Sequence, residues 1–248
     1  MGKSSKSNER RARVEQIERE RKRAERKRML MFGGVIGLVA AVIIGVTGWT
    51  LYSDWRADQA VAATDLQEFG VSESAAGCDP VEETPASGGA DHISPPQPVQ
   101  YSQAPPAFGP HRPDWASFER KFYTAEDRPE VAQLVHNLEH GYNILWYDET
   151  VAGNDQQLQQ IEDLASKFEG SERDPANAFI AAPWTAADGG EFPEGKHIAL
   201  THWYADPDTG ADEKGITQYC EQLSGQVVGD FMEEWTQDEA REGGAGFL

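Results

Sequence analysis

The sequence predicts an α+β domain, with helices packed on a small sheet of three to four strands, carried behind an N-terminal transmembrane helix. Three observations lead there. Residues 29–52, MLMFGGVIGLVAAVIIGVTGWTLY, form a run of 24 residues without a formal charge. Charge divides at that run. Residues 1–28 carry twelve Lys/Arg against five Glu, whereas 54–248 carry ten Lys/Arg against 37 acids, within an overall charge of −20. Beyond residue 113, amphipathic runs of helical period alternate with short apolar runs of strand type.

Each segment is read from its composition. Residues 1–28, including RRARVEQIERERKRAERKR, are rich in strong helix formers and read as a basic helix facing lipid headgroups on the cytoplasmic side. At 1.5 Å per residue, a helix over 29–52 is long enough to cross a hydrocarbon core of about 30 Å. Trp49, Tyr52 and Trp55 stand at its end, where an aromatic belt lies. The positive-inside rule keeps the leader cytoplasmic and exports the chain beyond the span, so the expected location is the cell membrane with an extracytoplasmic C-terminal domain. A cleaved signal peptide fits less well. The Ala60-Val61-Ala62 triplet lies well past the apolar run, and the run itself exceeds a usual h-region.

Residues 53–77 read as a juxtamembrane stalk, and 78–235 as the extracytoplasmic domain. Nine of the fourteen prolines fall in 80–113, too dense for regular structure. Yet His92, Tyr101, Phe108 and His111 stand in this stretch, with Trp115 just after it, so it is expected to wrap onto the domain as an ordered, irregular segment. Asp127-Arg128-Pro129-Glu130 starts a helix, with Val131, Leu134, Val135 and Leu138 on one face and Gly141 as its stop. Next come a strand over 142–147, a helix over 156–168 and strands over 178–182 and 196–203. Helices are expected over 213–223 and 227–235, then a frayed tail over 236–248.

The two cysteines, Cys78 and Cys220, fall on the exported side, where an oxidising compartment favours a disulfide between them. Metal-ligating thiolates are the other reading. The acidic excess outside the membrane argues against nucleic acid as a partner.

All six histidines are exported: His92, His111, His136, His140, His197 and His202. His136 and His140 stand one helical turn apart, and with Glu139 they spell H-x-x-E-H, the pattern of a zinc-peptidase helix with Glu139 as base. Such a pair also serves as a zinc or copper chelate, with His92 or His111 brought in by the wrapping segment. His202 shares a strand face with Ile198 and Leu200, a setting that more often belongs to a core histidine. A peptidase needs a further ligand, for which Glu162, Glu169 and Glu172 are among many available acids.

The run from Gly77-Cys78-Asp79 through Asp91-His92, Tyr101, Pro105-Pro106, Gly109-Pro110-His111, Trp115 and Phe122-Tyr123 to the stretch LVHNLEHGY at 134–142 resembles a bacterial exported domain-of-unknown-function family, numbered three thousand one hundred and five. The resemblance covers roughly 66–235. It implies one N-terminal span with one extracytoplasmic domain, and matches the family motif at His92, His111, His136, Glu139 and His140. It implies no activity. Three readings stay open: an envelope module binding a metal or a protein partner through its histidines, a zinc hydrolase using 136–140, and a scaffolding membrane protein without a metal.

Overall fold

The computed structural model describes residues 3–86, 89, 91–171 and 174–243. The chain forms two units, Met1–Ala60 and Val61–Leu248. The first is made by helix α1, Lys3–Ala63, continuous for 61 residues. Its apolar side chains between Met29 and Tyr52 are exposed, Leu30 at 76% and Trp49 at 71%. One stretch of it is long and apolar enough to cross a membrane.

The second unit is built on five strands. β1 is Glu82–Pro85, α2 Val131–Glu139, β2 Asn143–Tyr147, α3 Glu149–Ala152 and α4 Asp155–Ser166. β3 is Phe179–Pro183, α5 Ala186–Gly189, β4 Ile198–Tyr204, β5 Lys214–Cys220 and α6 Gly225–Glu234. The strand order is β1-β5-β4-β2-β3. Only β2 and β3 run parallel, and α4 lies in the connection between them, as a parallel pair requires. Asn154 caps α4 by accepting from the backbone N–H groups of Gln156 and Gln157.

Alternation along the strands loads both faces of the sheet. Leu145, Phe179, Leu200 and Ile216 face one way, against Ile161, Leu164 and Phe168 of the α4 region and Val227 and Phe231 of α6. Ile144, Trp146, Ile180 and Trp203 face the other way, against Leu134 and Leu138 of α2 and Phe118 and Tyr123 of the stretch between the wrapping segment and α2. The α+β reading holds, with five strands rather than three to four. One added strand is β5, where the sequence reads as a helix over 213–223. The run Gly-Ile-Thr-Gln-Tyr-Cys is rich in strand formers, and Gly215 lies so close to the Phe108 ring that no Cβ fits there. The other is β1, at a sheet edge inside the proline-rich segment, where proline is tolerated.

Two boundaries also differ. Residues 64–77 are not a free stalk: Phe69 and Ala76 are buried, the Val71 N–H donates to the Leu223 carbonyl and the Gly225 N–H to that of Phe69. The expected frayed tail is folded over 236–243. Glu239 accepts from the Thr236 N–H, Gln237 and Ala240 are buried, and the Glu242 N–H donates to the Glu139 carbonyl. Residues 244–248 lie outside the described residues.

Cys78 and Cys220 form a disulfide, closing the chain between the segment before β1 and the end of β5 across a sequence separation of 142.

Candidate metal centre

The site begins with α2. The Gln133 side chain accepts from the Glu130 N–H at 3.2 Å, fixing the first turn. Leu134 and Leu138, four residues apart, bury one stripe against the sheet. His136 and Glu139 project from another side, toward the wrapping segment. The helix stops at Gly141, φ +82, where a side chain would collide with the Gln237 backbone.

The wrapping segment is tied onto α2 at several points. Arg112, 7% exposed, donates to Glu130 at 2.6 Å and to the carbonyls of Ile93 and Gln97 at 2.9 and 2.8 Å. Its own N–H donates to the Ala132 carbonyl. Asn137, fully buried, clasps Ala116 by accepting from its N–H at 2.9 Å and donating to its carbonyl at 3.1 Å. His92 and His111 lie side by side in a short bridge, in which the Ile93 N–H donates to the His111 carbonyl and the His111 N–H to that of Asp91. Irregular backbone is thereby held in place by the Arg112 side chain from within the segment and, just beyond it, by Asn137 from α2.

These ties gather His92, His111, His136 and Glu139, one potential ligand atom of each lying within 4.8 Å of the others. The three rings are nearly equidistant, with centroid separations of 4.8, 5.0 and 4.8 Å. His111 and His136 are oriented alike. Nδ1 of His111 donates to the Gly109 carbonyl at 2.8 Å, and Nδ1 of His136 to the Arg112 carbonyl at 2.6 Å. A carbonyl only accepts, so Nδ1 carries the hydrogen in each ring, and the neutral ring keeps its lone pair on Nε2. Burial holds His136 in that neutral form: its pKa is pushed down to about 4, although the Arg112 carbonyl favours the charged ring.

Glu139 is 1% exposed. Its Oε2 lies 2.9 Å from Nε2 of His111 and 3.9 Å from Nε2 of His92. Its Oε1 lies 3.3 Å from Nε of Arg241, which also pairs with Glu213 at 2.6 Å. Burial raises the Glu139 pKa, but the contact with the His111 ring, aided by the other nearby imidazoles, outweighs it and holds the carboxyl below its usual range. Nε2 of His111 and Oε2 of Glu139 are both buried and have no hydrogen-bond partner among the described residues. Two such atoms so close, out of water, share a positive charge between them, either a proton on Nε2 or a cation.

The donor set suits a divalent transition ion. A tetrahedral ion about 2.1 Å from each ligand separates the ligands by about 3.4 Å, between the two spacings seen at Oε2. The hydrogen bonds from Nδ1 to carbonyls are the outer contacts that orient metal-bound histidine. Imidazole and carboxylate fit zinc or copper(II), and among the described residues no free thiol stands anywhere in the chain.

The sequence-predicted residues therefore divide. His92, His111 and His136 come together, and Glu139 joins them. His140 does not join. It stands at the helix cap, φ −87 and ψ 13, stacks on His136 at 4.9 Å, meets Trp115 edge-on at 5.4 Å and lies 3.9 Å from Glu242. The H-x-x-E-H arrangement of two histidine ligands flanking a free base is thus not the one formed. Glu162 lies on α4, across the sheet, and Glu169 shortly after it, while Glu172 lies outside the described residues. Arg112, Asn137 and Arg241 escape sequence reasoning, since a single arginine in a polar tail carries no signal of its destination.

His202 is fully buried on the opposite sheet face and contributes nothing to the cluster. Burial depresses its pKa to about 4, against weaker opposing contacts from the backbone of Glu239 and Tyr142. Between about pH 6.5 and 4 the unfolded chain binds a proton at this residue that the folded chain does not. The stabilisation is therefore present above about pH 6.5 and lost as pH falls toward 4, amounting to about 3 kcal/mol. Urea unfolding at pH 7 and 4.5 should show a smaller acid loss for His202→Asn than for the wild type. Equal losses would exclude His202 as the cause.

No curated protein and no solved structure gives a significant match to the chain. A family model matches residues 92–245, from the first histidine of the cluster to beyond Arg241, and by it the chain belongs to the family described as "Protein of unknown function (DUF3105)".

Proposed function

We propose that this chain is a membrane-anchored protein whose extracytoplasmic domain binds one divalent transition-metal ion, zinc or copper(II), through His92, His111, His136 and Glu139. One observation carries the metal reading: the buried pair of His111 Nε2 and Glu139 Oε2, 2.9 Å apart, with no hydrogen-bond partner among the described residues and with two further imidazoles beside it. The anchor reading rests on the 24 uncharged residues of α1, the basic leader before them and the disulfide after them, which belongs to an oxidising compartment.

In this reading the protein's own residues supply orientation and charge. The carbonyls of Gly109 and Arg112 set the tautomers of two rings. Arg241 holds one oxygen of Glu139, leaving the other for the ion. A purely structural role, with the histidines pinning the wrapping segment, also uses the Nδ1 bonds and pairs a protonated His111 with Glu139, but does not call for the third imidazole gathered beside them. Titration of the full chain in detergent with zinc, against a chromophoric chelator, should reveal one tight equivalent. No bound zinc at equivalence would overturn the proposal.

A further inference from the structure

We infer that the site is a fixed tripod with one exchangeable ligand: His111, His136 and Glu139 hold the ion, and His92 yields its place to an imidazole presented from outside, so that a histidine of a partner protein can complete the shell of the bound ion. This rests on the metal reading above.

The four donors are unequal. His111, His136 and Glu139 are 0%, 3% and 1% exposed, whereas the His92 side chain is 48% exposed. Each member of the tripod is held by a second contact: the Gly109 carbonyl, the Arg112 carbonyl and the Arg241 guanidinium. Withdrawing His136 orphans the Arg112 carbonyl, and withdrawing Glu139 strands a buried carboxylate. Displacing His92 merely returns a half-exposed ring to water. Its Nε2 is also the more distant of the two measured from Glu139 Oε2, 3.9 Å against 2.9 Å for His111, so His92 is the donor that must travel inward to complete a shell.

The position is shaped for an imidazole because one already sits there, with its ring packed against those of His111 and His136. Exchange then balances without a redox partner. The lone pair of an incoming neutral imidazole nitrogen forms a bond to the ion as the bond from His92 Nε2 breaks. Both donors are neutral, so net charge, protonation and oxidation state are unchanged. Trp115, 43% exposed and edge-on to His136 at 5.1 Å, gives the approach an apolar wall.

The test uses the full chain in detergent with Co2+, whose visible bands report its donor shell. His92→Gly should weaken Co2+ binding by at least about 10-fold, since losing even an outer-shell contact at a metal site costs about 10- to 100-fold. Added imidazole should restore both the affinity and the bands. His111→Gly should lose Co2+ and gain nothing from imidazole. Near-UV circular dichroism checks its fold, and Glu139→Gln, which keeps shape, serves as a second buried-ligand variant with the same expectation. Failure of imidazole to restore His92→Gly, or equal rescue of His111→Gly, overturns the exchangeable ligand while leaving the metal site standing. A wild type that gives no Co2+ bands overturns both.

Discussion

Replacing His136 with alanine is expected to abolish zinc binding and, with it, the thermal stabilisation that zinc gives the wild type. At a free concentration 100 times its dissociation constant, an ion that binds only the folded state stabilises by about 2.7 kcal/mol. For a folded unit of this size, that raises the melting temperature by roughly 5–10 °C. Calorimetry of the full chain in detergent, with zinc and then with chelator, should show that rise and its reversal. The variant should show neither. It should also melt lower than the metal-free wild type, since the Arg112 carbonyl loses the donor it meets at 2.6 Å, a cost of about 1–3 kcal/mol. The two effects separate cleanly: the first depends on zinc and the second does not. A variant that keeps the full zinc response would remove His136 from the donor set.

The second large effect is expected at the disulfide. Joining Cys78 to Cys220 closes a loop of about 140 residues. On the chain-entropy model such a closure destabilises the unfolded chain by about 5 kcal/mol, and measured losses of native disulfides run at about 2–5 kcal/mol. A domain stable by about 5–15 kcal/mol loses a large share of that margin. The double variant Cys78→Ala/Cys220→Ala should therefore unfold at markedly lower urea than the wild type, with a larger shift than His202→Asn gives at pH 7. The geometry explains why the bond matters. It anchors the segment before β1 to the end of β5, and β1 itself has mostly exposed side chains and contributes little core of its own. An unchanged urea midpoint would show that the packing of Phe69, Ala76 and Leu223 holds that edge unaided.

How legible each element is in the sequence depends on how local its signal is. The long apolar helix, the start and stop of α2, and strands β2, β3 and β4 are written in charge, period and glycine placement within a few residues. β5 is misread as a helix because its partner and the Phe108 ring that presses on Gly215 are far away in sequence. The folding of 64–77 is equally hidden, since its partners lie beyond residue 220. At the site, the histidines stand out by type, and the wrapping of 80–113 is suggested by its aromatic anchors. The choice between His140 and Glu139 is not local. It depends on the side from which the wrapping segment brings His92 and His111, and that is set by Arg112 and Asn137 holding it against α2. A motif read along one helix names two histidines one turn apart. The fold brings one of them into the cluster, together with the carboxylate between them.

X-ray absorption at the zinc edge of the zinc-loaded full chain tests the metal centre most directly. The expected spectrum shows a shell of nitrogen and oxygen donors at about 2.0–2.1 Å, with the outer-ring scattering of three imidazoles, reduced to two in His92→Gly. A shell without imidazole scattering, or a protein that retains no zinc after desalting, would contradict it.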